Sequence, residues 1–483
     1  MELRKFTKAL SIATILFAAT INHIHLKAQT DSCITTIHEV DTLYTIGNIE
    51  ISGNKKTKPD IILCEMLIKS GDTIRQSQLH DVLEQCKINL QKISIFNYVT
   101  INYEKESNLN NDITIYINVE ERWYIWPAID IMPHNGNLNE WLSNPDIHLI
   151  DYYIGIKKYN FRGRRETITF AIRRGFNNLT QINYENIALN KKRNHLLSFS
   201  VFTQSQKSVM LNTINNQATY ADFKGIKKAA SEYNFNISYH YRTTIDMKNT
   251  FQLGYFSSKI CDSVAILNPN FLGSGRTHIS GLTLQYRFSI DKRNSSYYPL
   301  QGSMLTTTIK KLGVFSNTID TYTLILDARK YIQLKPRLYF STQLYISNSS
   351  ESMPFHKMEM LGATPNIMPG YEHNMIAGHT LGYIKTSYKY ELLRTRVVHL
   401  KWLKFNKFNK IHYAIYLNTF ANAGYTSALN DDTIHLNPMN NAFLGSLGIG
   451  LDLVTYYDRL FSVYITRNYQ GKSYVGIGFK TSF

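Results

Sequence analysis

Apolar and small or polar side chains alternate along the final stretch of this chain. From Val475 to Lys480 the odd positions are apolar and the even positions are small or polar, and the last residue is aromatic. The residues that define this segment are Gly476, Gly478, Phe479 and Phe483. The period of two predicts a strand. The aromatic end is typical of the closing strand of an outer-membrane β-barrel, which has one face in lipid and one towards water.

The same alternation recurs throughout residues 122–483. Apolar residues at odd positions from Tyr233 to Tyr241 oppose polar residues from Asn234 to Arg242. Charged side chains in such positions would be out of place in a dry sandwich core, whereas in a barrel they face water. The segment has room for sixteen antiparallel strands of about 22 residues each with their loops. Counting alone leaves fourteen or eighteen strands open.

The amino terminus has the pattern of a secretory signal in residues 1–28. Basic residues precede an apolar run from Ala9 to Ile21, and Leu26-Lys27-Ala28 offers a cleavage site. That run is shorter than the roughly 20 residues of a spanning helix. No later segment reaches that length without charges, so any membrane crossing must use a barrel. Residues 29–41 form a polar leader.

Residues 42–121 have a different pattern, which predicts strand, helix, helix, strand and strand. The first helix is expected to begin near Pro59 and to run to about Lys69. The second carries one apolar stripe from Leu79 to Leu90. Alternating residues then predict two strands. The fold expected for the exported chain is therefore a small α+β domain followed by an all-β transmembrane barrel.

Two cysteines lie on the predicted helices of the small domain, Cys64 and Cys86. One interpretation is a disulfide between the helices, because an exported chain meets an oxidising compartment. The other is a pair of buried thiols that act as small apolar fillers. None of the four cysteines has metal-ligand spacing.

Composition and charge agree with a barrel, and the charge also indicates which partners the chain meets. Charged residues make up 18% of the chain, aromatic residues 13%, and Tyr is present in 33 copies. Tyr suits the membrane interface, where its ring is in lipid and its hydroxyl in water. The formal charge is +17. Export separates the chain from nucleic acid, so the charge indicates a basic lumen and basic loops near acidic lipid headgroups.

Several short motifs appear in an order that resembles the BamA/TamA/FhaC superfamily of outer-membrane assembly and secretion proteins. Residues 42–121 resemble one POTRA domain of that family. Asn160 to Arg164 resembles an early barrel turn, and Asp291 to Asn294, with Gly302 after it, resembles a mid-barrel hairpin. The resemblance implies a periplasmic POTRA domain and a barrel in the bacterial outer membrane, in residues 122–483.

The family also has a long loop that folds back into the barrel, where an Arg at its tip pairs with an Asp on a strand. The matching tip here is Pro369, Gly370 and Tyr371, and the matching strand motif is Phe420, Asn422 and Gly424. Both charged positions are changed, to Pro369 and Asn422. Loss of both halves avoids a stranded charge. We expect the loop to fold inward still, held by Tyr371 packing and by hydrogen bonds from Asn422 to backbone.

The resemblance implies that the barrel assists the assembly, insertion or translocation of client proteins. The POTRA domain would receive unfolded clients by adding their extended segments to its sheet edge. The implied partners are outer-membrane lipids, unfolded outer-membrane or secreted proteins, and periplasmic chaperones or accessory lipoproteins. A single POTRA domain favours an accessory or lineage-specific member. The alternative is a passive porin-like or scaffold barrel.

Two further expectations concern the chemistry of the chain. Gly476 and Gly478 either weaken the seam between the closing strand and the first strand, or make room for lumen side chains. No nucleophile, paired-acid or nucleotide-binding pattern has any specificity, so we expect neither an enzyme nor a cofactor. Lone histidines such as His240 and His412 are expected to be polar residues of the lumen.

Overall fold

The computed structural model describes residues 41–105, 111–133, 150–222, 228–362, 366–400, 407–427 and 437–480. The predicted signal peptide, nearly all of the leader, and Phe483 lie outside these ranges.

The amino-terminal domain is one four-stranded sheet with two helices. Its elements are β1 (Leu43–Ser52), α1 (Pro59–Leu63), β2 (Thr73–Arg75), α2 (Gln76–Lys92), β3 (Phe96–Lys105) and β4 (Asp112–Glu121). The strand order is β2-β1-β4-β3. β1 and β4 run parallel, and the other neighbours are antiparallel. The domain's α+β fold is as predicted.

The core of this domain forms where the helical stripe meets the sheet. Leu79, Leu83 and Leu90 of α2 are buried, as are the alternating residues Ile113 and Ile117 of β4. Two details differ from the sequence-based expectation. Helix α1 ends at Leu63 rather than near Lys69, and β2 is an additional strand. A three-residue strand such as β2 is too short to show a period of two.

The structure holds Cys64 and Cys86 as separate free thiols, so the disulfide alternative is not realised. Cys86 is fully buried in the core, where its sulfur accepts a hydrogen bond from the amide of Leu67 at 3.3 Å. Cys64 faces the barrel instead, and its thiol lies 3.7 Å from the carbonyl of Lys192. Burial raises the pKa of both thiols, which keeps them protonated.

Sixteen strands of the second domain form a single antiparallel sheet, as predicted. In chain order they are β5 (Ile125–Pro133), β6 (Ile150–Phe161), β7 (Glu166–Gly175), β8 (Asn178–Ala188), β9 (His195–Gln206), β12 (Ala230–Arg242), β13 (Met247–Ile260), β14 (His278–Asp291), β15 (Gly302–Val314), β16 (Thr321–Lys335), β17 (Leu338–Ser349), β20 (Thr380–His399), β21 (Lys410–Thr426), β22 (Leu444–Thr455), β23 (Arg459–Asn468) and β24 (Ser473–Lys480).

Three smaller features lie in the loops between these strands. They are the hairpin β10 (Ser208–Ile214) and β11 (Gln217–Asp222), the helix α3 (Asp262–Leu267), and the short strands β18 (Met360–Leu361) and β19 (Ile376–Ala377). In the described part of the chain, no helix is both long and apolar enough to cross a membrane.

The two faces of the sheet differ as the alternation predicts. Phe251 and Leu284 are about half exposed on the outer face. On the inner face, Asn236 donates to Ser200 Oγ at 3.2 Å and accepts from Gln252 Nε2 at 2.9 Å. His240 lies 2.9 Å from a hydroxyl on each neighbouring strand. The inner face is thus a polar network and the outer face is apolar.

Strands β5 and β24 are the two edges of this sheet. No backbone ladder joins them within residues 125–133 and 473–480. Near the amino-terminal domain, the ring of Trp126 in β5 lies 4.9 Å from the ring of Tyr457, in the turn between β22 and β23. The guanidinium of Arg459 in β23 lies 5.7 Å from the Trp126 ring. These side chains connect β5 to the base of β23, the neighbour of the edge strand β24.

Candidate functional site

The connection between β17 and β20 crosses the interior of the barrel. Near its start, Lys357 Nζ lies 2.5 Å and His356 Nε2 lies 3.2 Å from the carboxylate of Glu232 on β12. Further along, residues 369–372 contact β22 and β23. Because β12 and β22 are far apart in the sheet, the connection spans the interior. We call this connection the inner loop, and its described residues are 353–362 and 366–379.

The tip of the inner loop is held by backbone acceptors and one carboxylate. The carbonyl of Pro369 accepts from Ser446 Oγ at 2.5 Å, and that of Gly370 accepts from Asn468 Nδ2 at 3.1 Å. Glu372 accepts from the hydroxyl of Tyr464 at 2.6 Å. Hydrogen bonds from three wall residues, on β22 and β23, therefore hold the tip of the inner loop.

Tyr371 anchors the inner loop as a buried side chain. It is 0% exposed, and its hydroxyl both donates to the carbonyl of Gly445 and accepts from its amide, each at 3.1 Å. Its ring belongs to an apolar cluster of loop and wall residues. That cluster comprises Tyr345, Leu361, Met368, Tyr371, Ile376, Leu381, Tyr383 and Leu444.

Asn422 lies under the loop tip but does not bond to backbone there. Its amide donates to Ser446 Oγ at 3.0 Å, and that hydroxyl donates to the Pro369 carbonyl. The expectation of direct bonds from Asn422 to backbone is therefore wrong, because Ser446 lies between the two changed positions. Sequence comparison could not find this relay, since Ser446 comes from another strand.

The glycines at the tip and in the wall allow close approach. Gly370 has φ +93°, and a Cβ there would lie 2.9 Å from the Cβ of Ser446. A Cβ at Gly424 would lie 3.2 Å from the sulfur of Met368 in the loop. Phe420, the remaining motif residue, packs against Gly448 in the wall, where an added Cβ would lie 2.2 Å from its ring. Larger residues at Gly370 and Gly424 would push the loop off the wall, whereas one at Gly448 would displace the ring of Phe420.

The closing strand holds the glycines in two different settings. A Cβ on Gly476 would lie 2.2 Å from the ring of Tyr464, so this glycine makes room for a lumen side chain that binds the loop. A Cβ on Gly478 would make only an ordinary contact with Ser462 at 3.5 Å. Phe479 faces outward, 57% exposed, and its ring lies 4.6 Å from that of Phe461.

The amino-terminal domain docks against the turns at one end of the barrel. Glu65 is 3% exposed and bonds to two barrel arginines, to Arg165 at 2.7 Å and to Arg242 at 2.8 and 3.0 Å. We call these three residues the docking cluster. Burial raises the pKa of Glu65, but the two guanidinium groups outweigh it and hold that pKa below its usual 4.5.

Neutral hydrogen bonds reinforce this contact. The amide of Lys58 donates to the carbonyl of Gly163 at 2.9 Å, and Asn160 Nδ2 donates to Thr57 Oγ1 at 2.8 Å. A Cβ on Gly163 would lie 2.0 Å from the carbonyl of Lys56. The Asn160–Arg164 motif found in the sequence is thus the turn on which the amino-terminal domain rests.

The opposite end of the barrel is bridged by an asparagine at the tip of the β10–β11 hairpin. Asn216 is 0% exposed and donates its amide to Asn440 Oδ1 at 3.1 Å. Its own side-chain oxygen accepts from the amide of Met439 at 2.9 Å, and its carbonyl accepts from the amide of Met375 in the inner loop at 2.7 Å. The hairpin is therefore tied both to the β21–β22 connection and to the inner loop.

Sequence reasoning missed Glu65, Asn216, Glu372 and Tyr464. An Asn215-Asn216 pair between alternating residues is a hairpin signal that was available. The partners of the other residues lie far away in the sequence and gave no local signal. No group of His, Cys, Asp or Glu in the described ranges is arranged to hold a metal ion.

Two family models match the chain. A POTRA model described as a surface antigen variable number repeat matches residues 44–122, and the Omp85 superfamily domain matches residues 160–455, which is more than half of the chain. No curated protein sequence matches it.

Among solved structures, the chain is similar to BamA from Haemophilus ducreyi lacking POTRA domains 1–3, at a TM-score of 0.48 and 13% identity, over 91% of this chain and 83% of that one. It is also similar to CdiB from Escherichia coli, at a TM-score of 0.49 and 9% identity, over 93% of this chain and 92% of that one. For CdiB from Acinetobacter baumannii the TM-score is 0.46 and the identity 11%, over 90% of this chain and 73% of that one. On the strength of the family models, the chain belongs to the Omp85 superfamily of outer-membrane assembly and secretion barrels.

Proposed function

We propose that this protein receives unfolded client proteins through its POTRA domain and assists their insertion into, or passage across, the outer membrane. The single observation that carries the proposal is the unpaired seam between β5 and β24 in the described ranges. Because no backbone ladder holds β5 to β24 in those ranges, this seam can open at lower cost than the ladder between two paired barrel strands.

Strand β3 is the place where a client would enter. It is an edge strand of the POTRA sheet, with β4 as its one neighbour. Residues Asn102 to Lys105 are exposed, and the other edge strand, β2, has three residues. A client segment added to β3 would gain main-chain hydrogen bonds without any need for a particular sequence. This suits a protein that handles several clients.

The edges of the sheet offer client strands a similar template close to lipid. Ile129 of β5 is 78% exposed and Ile477 of β24 is 82% exposed, both on the outer face. Unpaired backbone groups beside lipid are costly, so the edges favour pairing with an incoming strand. The inner loop would hold the wall of β22 and β23 in place while this happens.

A crosslink between the two edges tests the proposal. Ile129→Cys and Ile477→Cys, in a background without native cysteines, would be joined by a flexible bis-maleimide in cells that depend on this protein. The matched control joins Val463→Cys to Ile477→Cys, which are already opposite each other in paired strands. We expect loss of client proteins from the envelope with the edge crosslink and no loss with the control. Full activity of the edge-crosslinked protein would exclude a lateral route.

The alternative of a passive porin is less compatible with the interior. The inner loop spans the barrel, the POTRA domain covers one end and the Asn216 hairpin bridges the other. A porin would give a large conductance in planar bilayers that does not change when residues 353–379 are shortened. Low conductance that rises on shortening is the result expected for a client-handling barrel.

A further inference from the structure

A cavity lies between the POTRA domain and the barrel, apart from the inner loop and the seam. Its volume is about 220 Å³. We call it the interface cavity. Five basic residues line it: Lys92, Arg165, Arg193, Arg242 and Lys248. Three acidic residues line it as well: Glu65, Asp246 and Asp291.

The acidic residues of the interface cavity are already engaged. Glu65 is shared by the two arginines of the docking cluster. Asp246 pairs with Lys92 at 3.1 Å. Asp291 pairs at 2.6 Å with Arg293, which lies outside the cavity lining. The lining therefore keeps an excess of positive charge after every ion pair has been formed.

Two of the cations have no carboxylate partner within the described ranges. Arg193 is 8% exposed, and within the described ranges its guanidinium makes one hydrogen bond, a long one of 3.4 Å to the carbonyl of Asn186. Lys248, at the start of β13, is half-buried and makes no ion pair in the part of the chain that the structure describes. A buried guanidinium that makes no ion pair is costly, because the water it loses is not replaced by a contacting anion.

We propose that the interface cavity binds a phosphate group, supplied either by inorganic phosphate or by a phosphomonoester headgroup. Arg193 and Lys248 contribute one positive charge each, and the docking cluster, with two arginines and one carboxylate, contributes one more. About three positive charges around one space match a multiply charged anion better than a chloride. The planar guanidinium fork presents paired N–H donors to phosphate oxygens. The cavity's size admits such a group together with water.

Bound phosphate would add a further link between two domains that already meet through the docking cluster, the Lys92–Asp246 pair and neutral hydrogen bonds. Arg193 comes from the β8–β9 turn, Lys248 and Arg242 come from neighbouring strands, and Lys92 comes from helix α2 of the POTRA domain. An anion that contacts all of them ties the POTRA domain to the barrel. Phosphate would then favour the docked arrangement and slow its opening.

The test uses the purified full-length protein in neutral detergent at constant ionic strength. Inorganic phosphate is titrated while the thermal unfolding midpoint and the protease sensitivity of the POTRA domain are followed. A parallel titration uses a short-chain phosphatidic acid below its micellar concentration. We expect a saturable rise in the midpoint and a fall in protease sensitivity. Saturation with phosphatidic acid alone would assign the phosphate to a lipid headgroup.

Variants separate the site from a general salt effect. Arg193→Gln and Lys248→Gln should each need at least about tenfold more phosphate for half of the shift. Lys69→Gln removes an exposed lysine of the POTRA domain away from the cavity and should leave the titration unchanged. Without phosphate, the Arg193 and Lys248 variants should unfold no earlier than the parent, because each loses an uncompensated cation.

Two results would overturn the proposal. One is the absence of a saturable response to both phosphate compounds. The other is a response of the Arg193→Gln and Lys248→Gln proteins equal to that of Lys69→Gln. Early unfolding of both variants without phosphate would also contradict it, since the two cations would then be stabilised by the protein itself.

Discussion

Replacing Tyr371 by Phe removes one oxygen atom from the contact between the inner loop and the barrel wall. The carbonyl of Gly445 keeps a second donor, the amide of Tyr469 at 2.8 Å. The amide of Gly445 has the Tyr371 hydroxyl as its partner and would be left buried without one. An unsatisfied buried donor costs about 1–3 kcal/mol. The ring stays in place, so this cost falls on loop docking.

Hydrogen exchange measures this cost in the native state. The amides of Tyr371 and Asn374 are bonded within the loop, each at 3.0 Å. If the docked loop loses about 1–3 kcal/mol, these amides should exchange about 5 to 150 times faster. The amides of β14 should not change, because that strand lies elsewhere in the sheet.

The matched control is Tyr388→Phe on the outer face of β20. Tyr388 is 52% exposed, and its ring packs on Phe340. Removal of its hydroxyl should leave loop exchange unaltered. Equal exchange in the parent, the Tyr371 variant and this control would refute the idea that Tyr371 anchors the loop.

Three further outcomes follow from the same contacts. Glu65→Gln leaves two arginines without their carboxylate and should weaken POTRA docking by about 3 kcal/mol, measured as faster proteolysis of the domain. In the parent, the stability that Glu65 contributes is fully present above pH 4.5 and is lost as the pH falls through its lowered pKa. Gly362→Ala places a Cβ 1.7 Å from a backbone oxygen at φ +97° and should disrupt the inner loop. The control Gly275→Ala, at φ +66° in open space, should cost only about 1–2 kcal/mol of backbone strain. Equal thermal unfolding midpoints for the two variants would contradict this. Asn216→Ala removes two side-chain hydrogen bonds and should raise conductance in planar bilayers, and an unchanged conductance would show that the hairpin does not close that end.

The sequence predicts most of the fold, because the fold depends on local periodicity. The alternation along β12 and β14 can be seen in consecutive residues, and the same alternation in the other strands predicts the sixteen-stranded sheet. The stripe on α2 is equally local. The three-residue β2 escapes prediction because it is too short to show a period of two. The early end of α1 escapes it because the buried residues Met66 and Ile68 continue the apolar pattern beyond Leu63.

The candidate site is predictable only in part. The motif residues Pro369 and Asn422 do lie at one place, but Ser446 connects them from a third segment. In the sequence, Glu65 cannot be distinguished from any other acidic residue near a helix end. Only the folded barrel places two arginines beside it. Such contacts join residues 100 or more positions apart, and no single-sequence pattern records them.

Depletion of the protein, followed by quantitative proteomics of the cell envelope, tests the central claim most directly. Client handling predicts that specific outer-membrane or secreted proteins disappear and that the parent chain restores them, whereas the chain with β5 crosslinked to β24 does not. Loss of many barrels would mean general assembly, and loss of one or two proteins would mean dedicated secretion. An envelope that keeps all of its proteins after depletion would contradict the account.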